Sequence, residues 1–234
     1  MKTIAIIPAR SGSKGLKDKN IKPLAGKPLL AYSIDTAVDS KLFDTVMVST
    51  DSERYAEFAI EHGAEVPFLR SQRTASDEAT TRECVLEVLE EYEKRDRFFE
   101  RMMILQPTSP LRTVDDIIQA ERLYQEKDAK SVISVCEMDH PPLWSNTISS
   151  TLSLDHFIRA ENSGRRQIMD VFYRINGAIY LHDIEHYKKN EYYFDNKAFA
   201  YIMKKEHSVD IDDELDFKFA ELLMKEGNKY GEYL

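Results

Sequence analysis

Thr3–Ala9 (TIAIIPA), followed at once by Arg10–Lys22 (RSGSKGLKDKNIK), is the stretch on which the fold turns. The first seven residues are a nearly continuous apolar run with β-branched members, the pattern of a strand covered on both faces. Pro8 and Arg10 bound the run, which leaves it too short for the apolar core of a signal peptide. The loop behind it carries five positive charges in thirteen residues, in a 234-residue chain whose formal net charge is −9. Gly12, Gly15, Ser11 and Ser13 are small enough to let backbone N–H groups approach a ligand. Open α/β sheets bind ligands just past the carboxyl ends of their strands, and backbone amides joined by Lys and Arg at such a turn suit a polyphosphate. The loop matches neither GxxxxGK[ST] nor GxGxxG, so a P-loop kinase and a dinucleotide dehydrogenase lose their main support. The plainer alternative is a solvated charged loop.

Outward from this stretch the chain alternates. Helical spacing predicts helices over Pro28–Ser40, Ser52–His62 (ended by Gly63), Thr81–Lys94 and Val114–Glu126. Short apolar runs predict strands at Thr45–Thr50, Val66–Leu69, Met102–Gln106 and Ser131–Cys136. Strands separated by helices of this length imply parallel βαβ units with right-handed crossovers. The rhythm breaks at His140–Asp170, a polar segment with Pro141, Pro142 and the only tryptophan. Strands return at Gly177–Leu181 and Ala198–Met203, and a last helix over Glu214–Lys225 closes before Gly227. One α/β domain over 1–234 with an inserted segment at 140–170 is the economical organisation.

Composition narrows the function. Hydrophobic residues at 42% and charged residues at 31% fit a globular protein rather than a disordered one. The acidic balance argues against a general nucleic-acid binder, and no apolar run approaches the ~20 residues that cross a bilayer. Cys84 and Cys136 lack metal-ligand spacing, which points to a reduced, cytoplasmic setting.

A second constellation lies near the C-terminus, in SVDIDDELDF (Ser208–Phe217). Asp210 and Asp212 are two residues apart, so on an extended chain both carboxylates project to one face. Carboxylates held side by side repel and are best satisfied by a divalent cation, and oxygen ligands favour Mg²⁺, which shares its sites with substrate phosphates. Asp213 and Asp216 have the spacing of a helix cap and explain themselves that way. Basic loop and carboxylate pair together suggest a metal-assisted reaction on a phosphate.

Four segments now make a resemblance specific: IPARSGSKGLKDKN (Ile7–Asn20), LQPTSPLR (Leu105–Arg112), RINGAIYL (Arg174–Leu181) and SVDIDDELDFKFAE (Ser208–Glu221). In this order and spacing the chain resembles bacterial acylneuraminate cytidylyltransferases, the CMP-sialic acid synthetases. The resemblance implies a Rossmann-like nucleotidyltransferase, a three-layer α/β/α sandwich on a mostly parallel sheet, that joins CTP to a nine-carbon 2-keto sugar acid and releases pyrophosphate. It also implies a homodimer in which His140–Asp170 reaches over the partner's site. By the same resemblance Arg10, Lys14 and Lys19 handle the triphosphate, Asn20 contacts CTP, and Arg70, Ala79 and Thr81 enclose cytosine and ribose. Gln106 falls at a sugar-acid contact. Arg166, Tyr180, Tyr193 and Phe194 fall where the sugar's carboxylate, glycerol and N-acyl groups bind. Arg174 and Asn176 lie in the motif that returns the chain to the site, and Asp210 and Asp212 match the metal pair. Gln106 has the plainer reading of satisfying backbone groups, and the three aromatic residues that of core packing.

Two departures fall on the sugar side: Trp144 where some members carry a lysine, and Tyr193-Phe194 where some carry two phenylalanines. The implied chemistry is in-line attack of the sugar's anomeric hydroxyl on the α-phosphorus, with Mg²⁺ on Asp210 and Asp212, and Arg10 and Lys19 stabilising the leaving pyrophosphate. None of the six histidines stands out as a general base. Rivals are a cytidylyltransferase for legionaminate, pseudaminate or Kdo, a glycosyltransferase using Asp210-Ile211-Asp212 as its DxD, and a non-catalytic nucleotide-binding regulator.

Overall fold

The computed structural model describes residues 1–12, 15–159 and 169–230. Its core is a six-stranded sheet built from β1 (Thr3–Pro8), β4 (Thr45–Ser49), β5 (Arg101–Ile104), β6 (Ser131–Glu137), β7 (Tyr173–Asp183) and β8 (Ala198–Ile202). The spatial order is β4-β1-β5-β7-β6-β8. β1 pairs in parallel with β4 and β5, β6 pairs in parallel with β8, and β7 alone runs antiparallel between β5 and β6. A two-stranded hairpin of β2 (Pro23–Leu24) and β3 (Lys27–Pro28) stands apart from this sheet.

The period of two along the strands explains why both faces are covered. Ala5, Ile7, Val46, Val48, Met103 and Leu105 point to one face, where α1 (Leu29–Ser40), α2 (Glu53–Glu61) and α5 (Val114–Glu126) supply Leu30, Ile34, Ala59, Ile117 and Ala120. Their neighbours Ile4, Ile6, Met47, Met102 and Ile104 point to the other, against Val85, Val88, Leu89 and Tyr92 of α4 (Thr81–Glu93) and Ile184 and Tyr187 of α6 (Ile184–Lys189). Strands buried on both sides read as unbroken apolar runs, as Thr3–Ala9 does, and the helices on both faces make the three-layer arrangement that the resemblance implies. Smaller apolar contacts form at the carboxyl end of the sheet. There Phe217, Ala220 and Met224 of α7 (Glu214–Tyr230) meet Leu24, Leu29, Leu111, Val209 and Ile211.

Several expectations are corrected. Val66–Leu69 is not a strand: Glu65 forms a single bridge to Met47, and Pro67, which has no N–H to donate, stops the ladder there. Gly177–Leu181 is the middle of the longer β7, which bends where its register against β6 shifts between Ile133 and Val135. Gly177 lies in that bend at φ +77°, a conformation that favours glycine. Pro28 does not enter the helix but stands just before it, at the end of β3. α7 passes through Gly227 to Tyr230 instead of closing before it. The short α3 (Gln72–Ala75), α6 and the hairpin had no periodic signal long enough to read.

The excursion 140–170 leaves the end of β6 and returns into β7. Its described part holds one short 3₁₀ turn, Pro142–Trp144, and leaves Leu143, Ile148, Leu152, Leu154 and Ile158 exposed.

Candidate active site

The basic loop is built against the sheet from both ends. Ser11 donates its N–H and its hydroxyl to the two oxygens of Asp51, each at 2.8 Å, just beyond β4. Burial pushes the Asp51 carboxyl up, but the two Ser11 bonds and the nearby Arg70 outweigh it and hold the group below the usual carboxylate range. At the far end Asn20, buried, donates its amide to the Arg10 carbonyl at 3.1 Å and closes the loop on itself. Asp51 carries no motif and was not legible beforehand; the one available signal was a carboxylate after the second long strand.

The loop then meets the acidic segment directly. Lys19 Nζ donates to the Ile211 carbonyl at 2.6 Å and stands 3.8 Å from Asp212 Oδ1. At Gly15 an added Cβ would lie 2.5 Å from the Asp212 carbonyl oxygen, so the two backbones approach as only glycine permits. Val209 and Ile211 are buried under α7 while Asp210 and Asp212 turn the other way, as the two-residue spacing requires. Asp213 and Asp216 do cap α7: Asp213 accepts from the Leu215 and Asp216 N–H groups, and Asp216 from Asp212 and Asp213.

Asp210 is the electrostatically unusual member. Burial, together with the neighbouring Asp212, raises its carboxyl pKa, while a hydrogen bond from Thr108 opposes the shift. Its Oδ1 is buried with no hydrogen-bond partner among the described residues. An orphaned anionic oxygen beside a second carboxylate is a place that can hold a cation.

These groups line one cleft of about 520 Å³ at the carboxyl end of the sheet. Arg10, Lys19, Asn20, Arg70, Ala79, Thr81, Gln106, Asp210 and Asp212 all border it, with Pro107 and Thr108 beside Gln106. Arg10 Nη1 pairs with Asp77 across the rim at 2.6 Å. Arg70 commits Nε and Nη2 to the Ser49 hydroxyl and carbonyl, and Cys84 Sγ lies 3.3 Å from the same hydroxyl, so Ser49 and Cys84 form the floor under the arginine.

Other expected residues stand around the cleft rather than in its lining. Arg174 borders a neighbouring hollow that shares Asp210 and Asp212. Asn176 is buried: its amide oxygen accepts from Ser134 at 2.6 Å, and its nitrogen donates to Ser208 at 2.9 Å, two residues before Asp210. Tyr180 and Tyr193 pack against the α4–α6 face. Burial lifts the Tyr180 hydroxyl to about 12, with Tyr193 and Asp210 adding to the shift. Tyr193 meets His182 edge-on at 4.7 Å and Phe194 at 5.0 Å, so these aromatic residues form a row of their own. Lys14 and Arg166 lie outside the described residues.

The chain matches known proteins over nearly its whole length. A family model described as cytidylyltransferase covers residues 4–224. An N-acylneuraminate cytidylyltransferase of Escherichia coli O18:K1:H7 is 40% identical over 97% of this chain and 53% of that protein. The chain thus spans about half the length of the first curated relatives it matches. A CMP-N,N'-diacetyllegionaminic acid synthase of Legionella pneumophila is 34% identical over 96% of this chain and 97% of its own. Among solved structures, a CMP:2-keto-3-deoxy-manno-octonic acid synthetase complexed with CTP superposes with a TM-score of 0.71 at 14% identity, covering 97% and 100% of the two chains, a likeness of fold. Since the family model takes in the basic loop, the whole sheet and the Asp210–Asp212 turn alike, the chain belongs to the cytidylyltransferase family.

Proposed function

We propose that this protein couples CTP to a nine-carbon 2-keto sugar acid, N-acetylneuraminate first among them, giving the CMP-sugar and pyrophosphate. The observation that carries the reading is the meeting of loop and carboxylates in one cleft: Lys19 is bonded to the backbone between Asp210 and Asp212. Arg10, Lys14 and Lys19 would take the triphosphate, with Asn20 holding the loop closed. Arg70, Ala79 and Thr81 would enclose the base and ribose. Gln106, Arg166, Arg174, Tyr180, Tyr193 and Phe194 would form the sugar side, with Asn176 supporting the strand between them. The reaction needs alignment of the anomeric hydroxyl with the α-phosphorus and neutralisation of charge, and Arg10 and Lys19 supply the second at the leaving pyrophosphate.

Asp210 and Asp212 would hold Mg²⁺, and the orphaned Asp210 oxygen fits that role. When bound, the ion would neutralise phosphate charge and lower the pKa of the attacking hydroxyl. Among the described residues no three His, Cys, Asp or Glu side chains cluster as metal ligands, so water and phosphate oxygens would complete the shell. No helix of the described chain is long and apolar enough to cross a membrane. Two unpaired, buried thiols support a cytoplasmic setting. The exposed apolar residues of 140–159 support a homodimer.

The second reading keeps the chemistry and changes the acid. The Legionella relative matches over almost its full length and is named for a legionaminic acid derivative. Pyrophosphate release measured with CTP, Mg²⁺ and a panel of N-acetylneuraminate, legionaminate, pseudaminate and Kdo separates these. Release is expected with CTP and a nine-carbon acid; equal release with ATP, or none with any acid, overturns the proposal.

A further inference from the structure

Beneath the cleft lies a cation that the proposed chemistry leaves unused. Arg112 is buried, and its guanidinium makes no ion pair among the described residues. Nη1 donates to the Ala178 carbonyl at 2.8 Å and to the Gln106 carbonyl at 3.3 Å, and Nη2 donates to the Ser33 hydroxyl at 2.6 Å. Ser33 in turn donates to the same Gln106 carbonyl at 3.3 Å. Nε has no hydrogen-bond partner among the described residues. Burial pulls the guanidinium pKa down to about 10, with Asp116 opposing the shift from a distance. A buried cation held by neutral acceptors and with one idle donor is a poor device for stability, because an apolar side chain of similar size avoids the desolvation cost.

Its place in the sheet gives it another task. The ladder between β5 and β7 ends at the pair Ile104–Tyr180. Two residues further along each strand, the Gln106 and Ala178 carbonyls no longer meet an N–H of the opposite strand but share Arg112. The guanidinium is therefore the spacer where the two strands part. In the gap the Gln106 side chain closes on Gly177, where an added Cβ would lie 2.7 Å from Gln106 Oε1 and 3.5 Å from Asp210 Oδ2. We infer that Arg112 is a positioning residue of the reaction, which sets the separation of β5 and β7 at the cleft and thereby holds the Gln106 amide in register beside Asp210. The inference rests on the reading that Gln106 contacts the sugar acid.

A double-mutant cycle tests both and keeps them apart. Gln106→Ala alone reports on the contact, and Arg112→Lys, which keeps the charge but not the fork, reports on the spacer. The expected result is a loss of about 10- to 100-fold in kcat/KM for the sugar acid in each single variant, with KM for CTP changed less than about twofold. Because Arg112 acts through Gln106, the double variant should fall no more than about threefold below the weaker single one. Losses that multiply, or Arg112→Lys kinetics equal to the parent with only a lower Tm, overturn the inference. So does a silent Gln106→Ala beside an impaired Arg112→Lys, which would also remove the Gln106 contact. Should Arg112→Lys not fold, Ser33→Ala, which removes the Nη2 acceptor together with the hydroxyl's own bond to the Gln106 carbonyl, enters the same cycle. A loss of about threefold that vanishes in the Gln106→Ala background is then expected, and a parent-like rate overturns it.

Discussion

Asp210 shows at the scale of one residue how a site can be arranged against stability. Its carboxyl is partly buried beside Asp212, and one oxygen has no partner among the described residues. A raised carboxyl pKa in the folded state means that the fold holds the proton more tightly than the unfolded chain does. The penalty of ionisation is therefore present above the folded value and vanishes below the unfolded value of about 4. Asp210→Asn, measured in chelator, should melt at a higher temperature than the parent at pH 7, and the gain should disappear near pH 3. With Mg²⁺ and substrates its turnover should drop by at least about a hundredfold. A lower Tm at pH 7 would show that the carboxylates are not in conflict. Gly15 and Lys19 make the opposite point, since one permits the close approach of the Asp212 backbone and the other fastens it.

Helix α5 carries the corresponding argument at the scale of an element. Its Thr113–Asp116 capping box is reciprocal, and the buried Asp116 also accepts from Tyr201 at 3.0 Å and stands 2.9 Å from His207 Nδ1. One carboxylate thus ties the helix start to β8 and to the loop that leads into Ser208 and Asp210. Burial pushes its carboxyl up, but His207 and Thr113 prevail and hold it below the usual range. The stability it contributes is present above the unfolded value of about 4 and is lost as pH falls through the lowered folded value. Asp116→Asn should cost about 1–2 kcal/mol at pH 7 by urea unfolding, and the difference should shrink as pH drops below about 4. A constant difference across that range would assign the loss to packing rather than charge.

At the scale of the whole molecule, the exposed apolar surface calls for a partner. Val171, Tyr173 and Ile175 alternate along the entry to β7 and are all exposed, as are Phe219 and Leu222 on α7 and Leu143, Ile148, Leu152, Leu154 and Ile158 of the excursion. Large apolar groups in such number are rarely left in water. Light scattering should return about twice 27.1 kDa. Ile175→Asp, which places a charge on that face, should weaken the association by at least about tenfold. A parent that scatters as an active monomer would show that the apolar segment serves its own chain.

The sequence by itself determined what local pattern and residue chemistry can encode. Thr3–Ala9 announced a strand buried on both faces, the 3.6-residue periods of α1, α4 and α5 announced their helices, and alternation placed Asp210 and Asp212 on one side. Each depends on neighbours within about two helical turns, where spacing alone decides which side chains share a face. Tertiary structure decided what depends on distant pairs. β7 runs antiparallel between two parallel strands, which no property of its own residues states. Pro67 cancels a strand because its neighbour there is a ladder. Asp51 and Ser49 became part of the site because the loops of Ser11 and Arg70 come to them, and Arg112 lies beneath it because α1 and β7 supply its acceptors. Asn176, which carries a motif, went behind the cleft because Ser134 and Ser208 satisfy its amide there. Contacts of this kind join residues far apart in the chain, and only the assembled sheet brings them within bonding reach.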